Sequence, residues 1–508
     1  MATYHIDLKL DGVNWTDVTA DARASVDIAV QYGISGTGPA DRVAQTGTLS
    51  FALDNSEHNS GGLIGYYAPG HANCRNGFEV GCPVRLRIVD LGVTYYKFVG
   101  TLETIEPESG QYLSLLTTCQ AVDWLDEAAK QKVRLLPTQI GQRGNQLIDT
   151  IVAAMTKQPA GIDLDTGDSV FPYALDTSRD ERFSPMTEFQ RVAMSELGFI
   201  FIAGDTSAGG KLTFQARRAR QVEITPSAAL SDSMSGLKVT RARSRISNRI
   251  KVVTHPRRVD LDRNTILFSY TSAPSIGAGQ TQIILGQYRD PNQLALRCGG
   301  IDMVTPVAGT DYLMNSAPDG SGTDLTANFS VTASFGGNGV EFEITNNGSV
   351  DGYVTLLQAR GRGVYDDNEI AVEATDSASK TAYGENVLTF DMPMQMSQAV
   401  GQDIADYLLA AWKAPQTAID SVEFIGNRSA ALMLAGLASE PGTCVTIEET
   451  ATGVAGDYHI NGVTLSIRAP GLFRFGWSVM PVPPFVGGLW QIGIVGHSEI
   501  GQTTTLGF

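Results

Sequence analysis

No apolar run approaches the ~18 residues that a membrane-crossing helix needs. The first ten residues, Met1 to Leu10, alternate polar and apolar without a basic stretch leading into an apolar one. Neither a spanning segment nor a secretory leader is therefore expected, and synthesis in a cytoplasm follows. Histidine is scarce, with His5, His58, His71, His255, His459 and His497 scattered over 508 residues. His71 and Cys74 come nearest to a metal-ligand spacing but have no second pair, so no zinc site is expected. The five cysteines, Cys74, Cys82, Cys119, Cys298 and Cys444, are odd in number and spread along the chain, which fits reduced thiols better than a disulfide framework. Charged residues make up 18%, below the usual ~25%. Acids outnumber bases 54 to 37, a net charge of -17, which excludes a chain-wide affinity for nucleic acid or anionic membrane. Also missing are His-Glu-x-x-His, Gly-x-Ser-x-Gly, a P-loop and Gly-x-Gly-x-x-Gly, so no cofactor, no metal and no enzymatic activity are expected.

What is present is glycine, 54 residues, against a typical ~7%, and many short alternating runs. Length predicts roughly three to four domains. Thr48 to Leu53, Val84 to Val89, Thr94 to Ile105 and Tyr112 to Thr118 read as strands between glycine-rich turns, giving a first β-barrel over 1–118. Leu147, Ile148, Ile151, Val152 and Met155, then Phe189, Val192, Ala193 and Leu197 after Ser184-Pro185, fall at helical spacing and predict an α/β domain over 119–235. Short strands resume at Arg249 to Thr254 and Thr265 to Tyr270. Ser330 to Ser334, Val340 to Thr345 and Tyr353 to Leu357, separated by Gly, Asn and Asp, predict a β-sandwich over 300–395. Val400, Ile404, Tyr407, Leu408 and Ala411 form one helical stripe.

A weak duplication runs through this pattern. Gly81-Cys82-Pro83-Val84, Phe98-Val99-Gly100, Ile105 and Pro107 resemble Gly442-Thr443-Cys444-Val445, Ile460-Asn461-Gly462, Ile467 and Pro470, with offsets of 361 to 363. Both read as two strands and a glycine that permits close packing or a bulge. The expected fold is therefore mainly β with an α/β insertion. The second barrel is discontinuous, 236–299 and 396–480, interrupted by the sandwich and followed by a C-terminal arm at 481–508.

Lys211 to Arg263 carries 13 Lys/Arg against Glu223, Asp232, Asp260 and Asp262, leaving +9 here and -26 elsewhere. Arg241, Arg243 and Arg245 alternate and in a strand would form a basic stripe. They could touch nucleic acid, but no aromatics interleave with them, and contact with an acidic neighbouring domain or subunit is the favoured reading. The arm holds Phe485 and Trp490, apolar residues that must be covered either by a partner subunit or by their own barrel. Asp163, Asp165 and Asp168 depart from a calcium loop at Gly167 and Ala174. Asp366, Asp367 and Glu369, or Glu103, Glu106 and Glu108, leave open a cell-wall glycoside hydrolase. The sandwich leaves open a carbohydrate-binding module for a host surface.

Gly65-Tyr66-Tyr67, Phe98 to Leu102, Ala121 to Leu125, Ile344 to Ser349, Tyr383-Gly384 and the ending Gly501 to Phe508 resemble tail-tip (baseplate) hub proteins of long-tailed, siphovirus-like bacteriophages. The resemblance spans nearly the whole chain. It implies a structural virion protein at the phage tail tip, a homotrimer whose two related barrels per chain make a six-fold-like ring. Such a ring joins the tail tube and distal tail protein to a three-fold tip. It also implies tape-measure, fibre or other tail-tip partners, contact with the host cell surface, and a channel opened for DNA ejection. DNA would pass without specific binding, along a wall expected to be acidic.

Overall fold

The computed structural model describes residues 2–109, 115–133, 135–176, 184–220, 225–469 and 471–482, with Gly488–Leu489 and Thr504–Thr505 as backbone only. The chain is mainly β. Its first half has six principal strands: β1 (Thr3–Leu8), β2 (Ile28–Gly33), β3 (Gln45–Asp54), β4 (Pro83–Asp90), β5 (Val93–Pro107) and β6 (Leu116–Val122). Alternation drives them. In β4, Val84, Leu86 and Ile88 are wholly buried, while Arg85 and Arg87 reach the Asp7 carboxylate at 2.7 and 2.8 Å.

A mixed unit follows. Helices α1 (Trp124–Lys130), α2 (Gly144–Ala153) and α3 (Pro185–Glu196) pack with a sheet of Gly161–Leu164, Phe199–Ala203 and Lys211–Gln215. Asp123 caps α1 by accepting from the Leu125 N–H, as side chains at that position commonly do. The predicted stripes of α2 and α3, including Leu147, Ile151, Phe189 and Val192, form its core, and Pro185 opens α3 as expected.

After β7 (Ala228–Ser231) and β8 (Gly236–Thr240) the chain leaves the main sheet. Arg249–Thr254 pairs with Ile370–Thr375 and Val387–Met392. Ile250, Val252 and Phe390 from this sheet meet Ile404, Ala405 and Leu408 of α4 (Gln398–Trp412). Between these strands lies the sandwich. It is built on the 15-residue strand Gly352–Asp366 and on the sheet of Thr281–Gln287, Gly339–Asn346 and Phe329–Phe335, around Tyr288, Phe342 and Leu357.

This arrangement corrects the expected boundaries. Residues 249–254 and α4, placed by sequence in the second barrel, form a separate layer, because the helix stripe takes the apolar face of that short sheet. Residues 265–299 belong to the sandwich, whose strand Thr265–Ser269 pairs with Gly352–Asp366.

The chain then returns as β9 (Ala418–Ile425), α5 (Ala430–Ala438), β10 (Cys444–Glu449), β11 (Val454–Arg468) and β12 (Leu472–Pro481). The order in the first half is β2-β3-β6-β5-β4-β1, and in the second β8-β9-β12-β11-β10-β7. Each strand of the second half thus occupies the place of the strand six earlier. Both β5 and β11 are 15 residues long. One difference is that β1 runs antiparallel to β4 whereas β7 runs parallel to β10.

Candidate assembly surface

The two halves join edge to edge where β2 pairs with β11, from Ile28 opposite Ile467 to Gly33 opposite Gly462. One apolar row therefore crosses seven strands: Phe424, Phe475, Leu465, Val30, Leu49, Ala121 and Leu102. All are at most 3% exposed. Such continuity of cross-strand pairs is what stabilises a sheet. The neighbouring row on the opposite face reads Glu423, Gly476, Thr464, Gln31, Thr48, Val122 and Thr101. The next reads Ile425, Arg474, Ser466, Ala29, Ser50, Gln120 and Thr104. Glu423, Thr464, Gln31, Thr48 and Gln120 are exposed, so this face is a broad polar wall with one acid and one base in these two rows.

The joint is close and specific. Gly33 has φ +93°, and a Cβ there would lie 2.5 Å from the Asn461 carbonyl oxygen, so only glycine fits. Asn461 is the extra residue where β11 shifts register against β12. Its carbonyl accepts from the Ile34 N–H at 2.7 Å and its amide donates to the Gly36 carbonyl at 2.9 Å. The duplicated glycines are also sites of close approach, since a Cβ on Gly100 would strike the Val122 carbonyl at 2.0 Å and one on Gly462 would meet the Ile34 carbonyl at 2.8 Å.

A buried clasp lies beside the joint. Lys97 of β5, wholly buried, donates to the carbonyls of Leu437 at 3.1 Å and Gly436 at 3.4 Å, at the end of α5, and pairs with Glu440. Glu440 also accepts from the Tyr32 hydroxyl at 2.7 Å and the Gly204 N–H at 2.9 Å. Burial and the neighbouring carboxylate hold the Tyr32 hydroxyl well above its ordinary pKa. Both halves and the α/β unit thus meet at one carboxylate. Sequence reasoning passed over it; the signal was a lysine interrupting the apolar run Tyr95-Tyr96-Lys97-Phe98-Val99.

The basic segment is largely spent inside the chain. Arg220 is buried against the Phe199 ring, 3.5 Å from its centroid, and donates to Asn461 Oδ1 at 2.8 Å. Next to it, burial and the adjacent guanidinium push His459 down to about 4. Arg249 pairs with Glu373 and Glu385, and Arg257 with Asp176 and Asp366. Of the predicted stripe, Arg245 pairs with Asp420 at 2.5 Å, while Arg241 and Arg243 are exposed. The stripe is not a strand: β8 ends at Thr240 and Arg243–Arg245 form a 3-10 turn, because Ala242 and Ser244 offer no apolar face to bury. Phe485 and Trp490 lie outside the described residues.

The candidate acids do not converge. Asp366 ends the strand Gly352–Asp366 and is held by Arg257 at 2.9 Å, and Asp367 and Glu369 follow it in an exposed loop. Glu103 pairs with Lys130 at 2.8 Å. Among the described residues no group of three or more His, Cys, Asp or Glu is placed to hold a metal, all five cysteines are free thiols, and no helix is long and apolar enough to cross a membrane.

No family model matches the sequence, and none of the curated proteins does. Among solved structures, the chain is similar to the 43 kDa tail protein of prophage MuSo2 from Shewanella oneidensis. The identity is 10% and the TM-score 0.49, over 95% of this chain and 99% of that one. It is similar to the tail protein from Neisseria meningitidis MC58 at 8% identity and a TM-score of 0.49, over 94% and 96%. It is also similar to the prophage tail protein gp18 from Listeria monocytogenes EGD-e, at 7% identity and a TM-score of 0.42, over 94% of each chain.

Proposed function

We propose that this chain is a structural protein of a bacteriophage tail, not an enzyme, and that three copies form the hub joining a six-fold tail tube to a three-fold tip. One observation carries the reading: a single chain holds two like halves, in matching strand order, fused at a sheet edge. Three copies then offer six near-equivalent places, the geometric requirement for a trimer to mate with a hexamer. Its partners would be the distal tail protein, the tape-measure protein and other tail-tip or fibre proteins.

In such a ring the polar wall would line the passage for DNA. Its Thr, Ser and Gln side chains make it neutral where an acidic wall was expected, and neutral groups give a polyanion little to bind, because affinity for the phosphate backbone follows cation contacts. The sandwich, inserted away from the main sheet, is available to fibres or a host surface.

Light scattering on the purified chain, followed by symmetry classification of particles in electron micrographs, tests the hub. A mass near three times 54.2 kDa with a ring-like six-fold end is expected. A lack of three-fold particles both in solution and on assembled tails refutes it.

A further inference from the structure

We propose that a second copy of this chain adds its β8 to the open side of β5, repeating between chains the β2–β11 joint found within one. This rests on the hub reading and names its contact.

The argument is one of correspondence. In the second half β8 holds the place that β2 holds in the first, and β5 holds the place of β11. β11 carries β12 along one side, while its other side carries β10 and then, over Gly462 to Ile467, β2. β5 likewise carries β6 on one side and β4 on the other, but beyond Leu102 no strand among the described residues takes the place of β2. β8, for its part, pairs among the described residues only with β9. An open edge at one end of the sheet, on β8, and an open stretch near the other, on β5 beyond Leu102, are thus of matching kind. Repetition of such a heterologous joint gives a ring when its rotation closes.

Register, burial and charge agree. β5 shifts register against β6 at Glu103, as β11 does against β12 at Asn461. Matching the two bulges places Gly462–Leu465 over Thr104–Pro107. At the internal joint Ile28, Val30, Leu465 and Ile467 are covered to within 4%. At the open edges Leu237, Val239 and Ile105 pack on the same core yet are only partly covered. Exposed Glu106 and Glu103, the latter also within reach of Lys130 at 2.8 Å, mark the β5 edge, and exposed Arg241, Arg243 and Lys238, the last also 3.7 Å from Asp420, mark the β8 edge and its exit. In the antiparallel sense of the joint the two arginines run toward the two glutamates. Strand addition of this kind takes its affinity from main-chain hydrogen bonds and its selectivity from side chains.

The test is charge reversal in the full-length chain, read by light scattering and sedimentation. Arg241→Glu/Arg243→Glu and, separately, Glu103→Arg/Glu106→Arg set like charges opposite each other and weaken association roughly 100-fold or more. The quadruple variant restores opposite charges at every joint and returns the wild-type mass. Either double variant assembling as wild type, or a monomeric quadruple variant, overturns the pairing. Three-fold particles persisting in the double variants leave the hub standing with another contact. A wild-type chain that is monomeric at every soluble concentration overturns the pairing, and three-fold particles on assembled tails would then still support the hub.

Discussion

Replacing Lys97 by Met keeps the length of the buried stem and removes the ammonium. Four groups then lose this donor: the carbonyls of Gly436, Leu437 and Ser439 at the end of α5, and Glu440, which keeps only the neutral Tyr32 hydroxyl and Gly204 N–H. These carbonyls are the negative end of the helix dipole. The site is closed, with the Lys97 side chain 0% exposed and Glu440 15%, so water replaces little of what is lost. Breaking a buried pair by removing one partner costs about 3–5 kcal/mol. Urea unfolding followed by tryptophan fluorescence measures it, as a shift of midpoint at constant slope. Lys130→Met is the control: its pairs with Glu103 and Asp126 are surface ones, with the lysine side chain 57% exposed, and such pairs contribute little to stability. The double variant Lys97→Met/Glu440→Gln should cost less than the two single changes together, since no uncompensated charge remains. A Lys97→Met loss no larger than that of Lys130→Met would refute the clasp.

Three other outcomes are expected. Burial raises the Glu196 carboxyl to about 7 although it accepts from the Ser169 N–H at 3.0 Å. The folded chain then holds a proton that the unfolded chain releases near pH 4.5, so this contribution is full below that pH and is lost as pH rises through about 7, roughly 3 kcal/mol in all. Melting curves from pH 5 to 8 should fall for the wild type and fall less steeply for Glu196→Gln, in which buried Asp123 and Glu188, also raised to about 7, still lose protons over that range. Gly33→Ala forces a left-handed backbone and a clash with Asn461, costing about 1–3 kcal/mol, seen as a lower melting temperature and faster amide exchange in β2. Phe475→Ala empties the second place in the apolar row, next to Leu465 of the joint, where its ring stacks on Phe424 at 5.5 Å, costing about 3–5 kcal/mol in urea; a loss below ~1 kcal/mol would mean the joint does not depend on that row.

Local periodicity made the helices readable. Leu147 to Met155 and Val400 to Ala411 announce themselves within three turns, and Ser184-Pro185 marks the start of α3. The duplication was readable only in outline: the sequence offset of 362 pairs Gly100 with Gly462, whereas matching the strand bulges sets Gly462 over Thr104. The pairing of Arg249–Thr254 was not, since its partners Ile370–Thr375 and Val387–Met392 lie over 100 residues downstream, and alternation alone names no partner. The β2–β11 joint spans over 400 residues and was equally hidden. Arg241, Arg243 and Arg245 misled because a period of two is necessary for a strand but not sufficient without an apolar face.

The basic segment shows how charge clustered in sequence can mark a junction in space. It runs from the last strand of the α/β unit, through the short strands β7 and β8, to the point where the chain departs into the insertions. Its cations join the units that meet there: Arg220 reaches Asn461 at the β2–β11 joint, Arg245 reaches Asp420 of β9, and Arg257 reaches Asp176 of the α/β unit. For nucleic acid to recruit these side chains, buried or half-buried pairs would have to open, at a cost that weak phosphate contacts would not offset. Arg241 and Arg243 are different, being exposed at the end of an open strand edge. An acidic surface on a neighbouring subunit can be met there without breaking anything inside the chain.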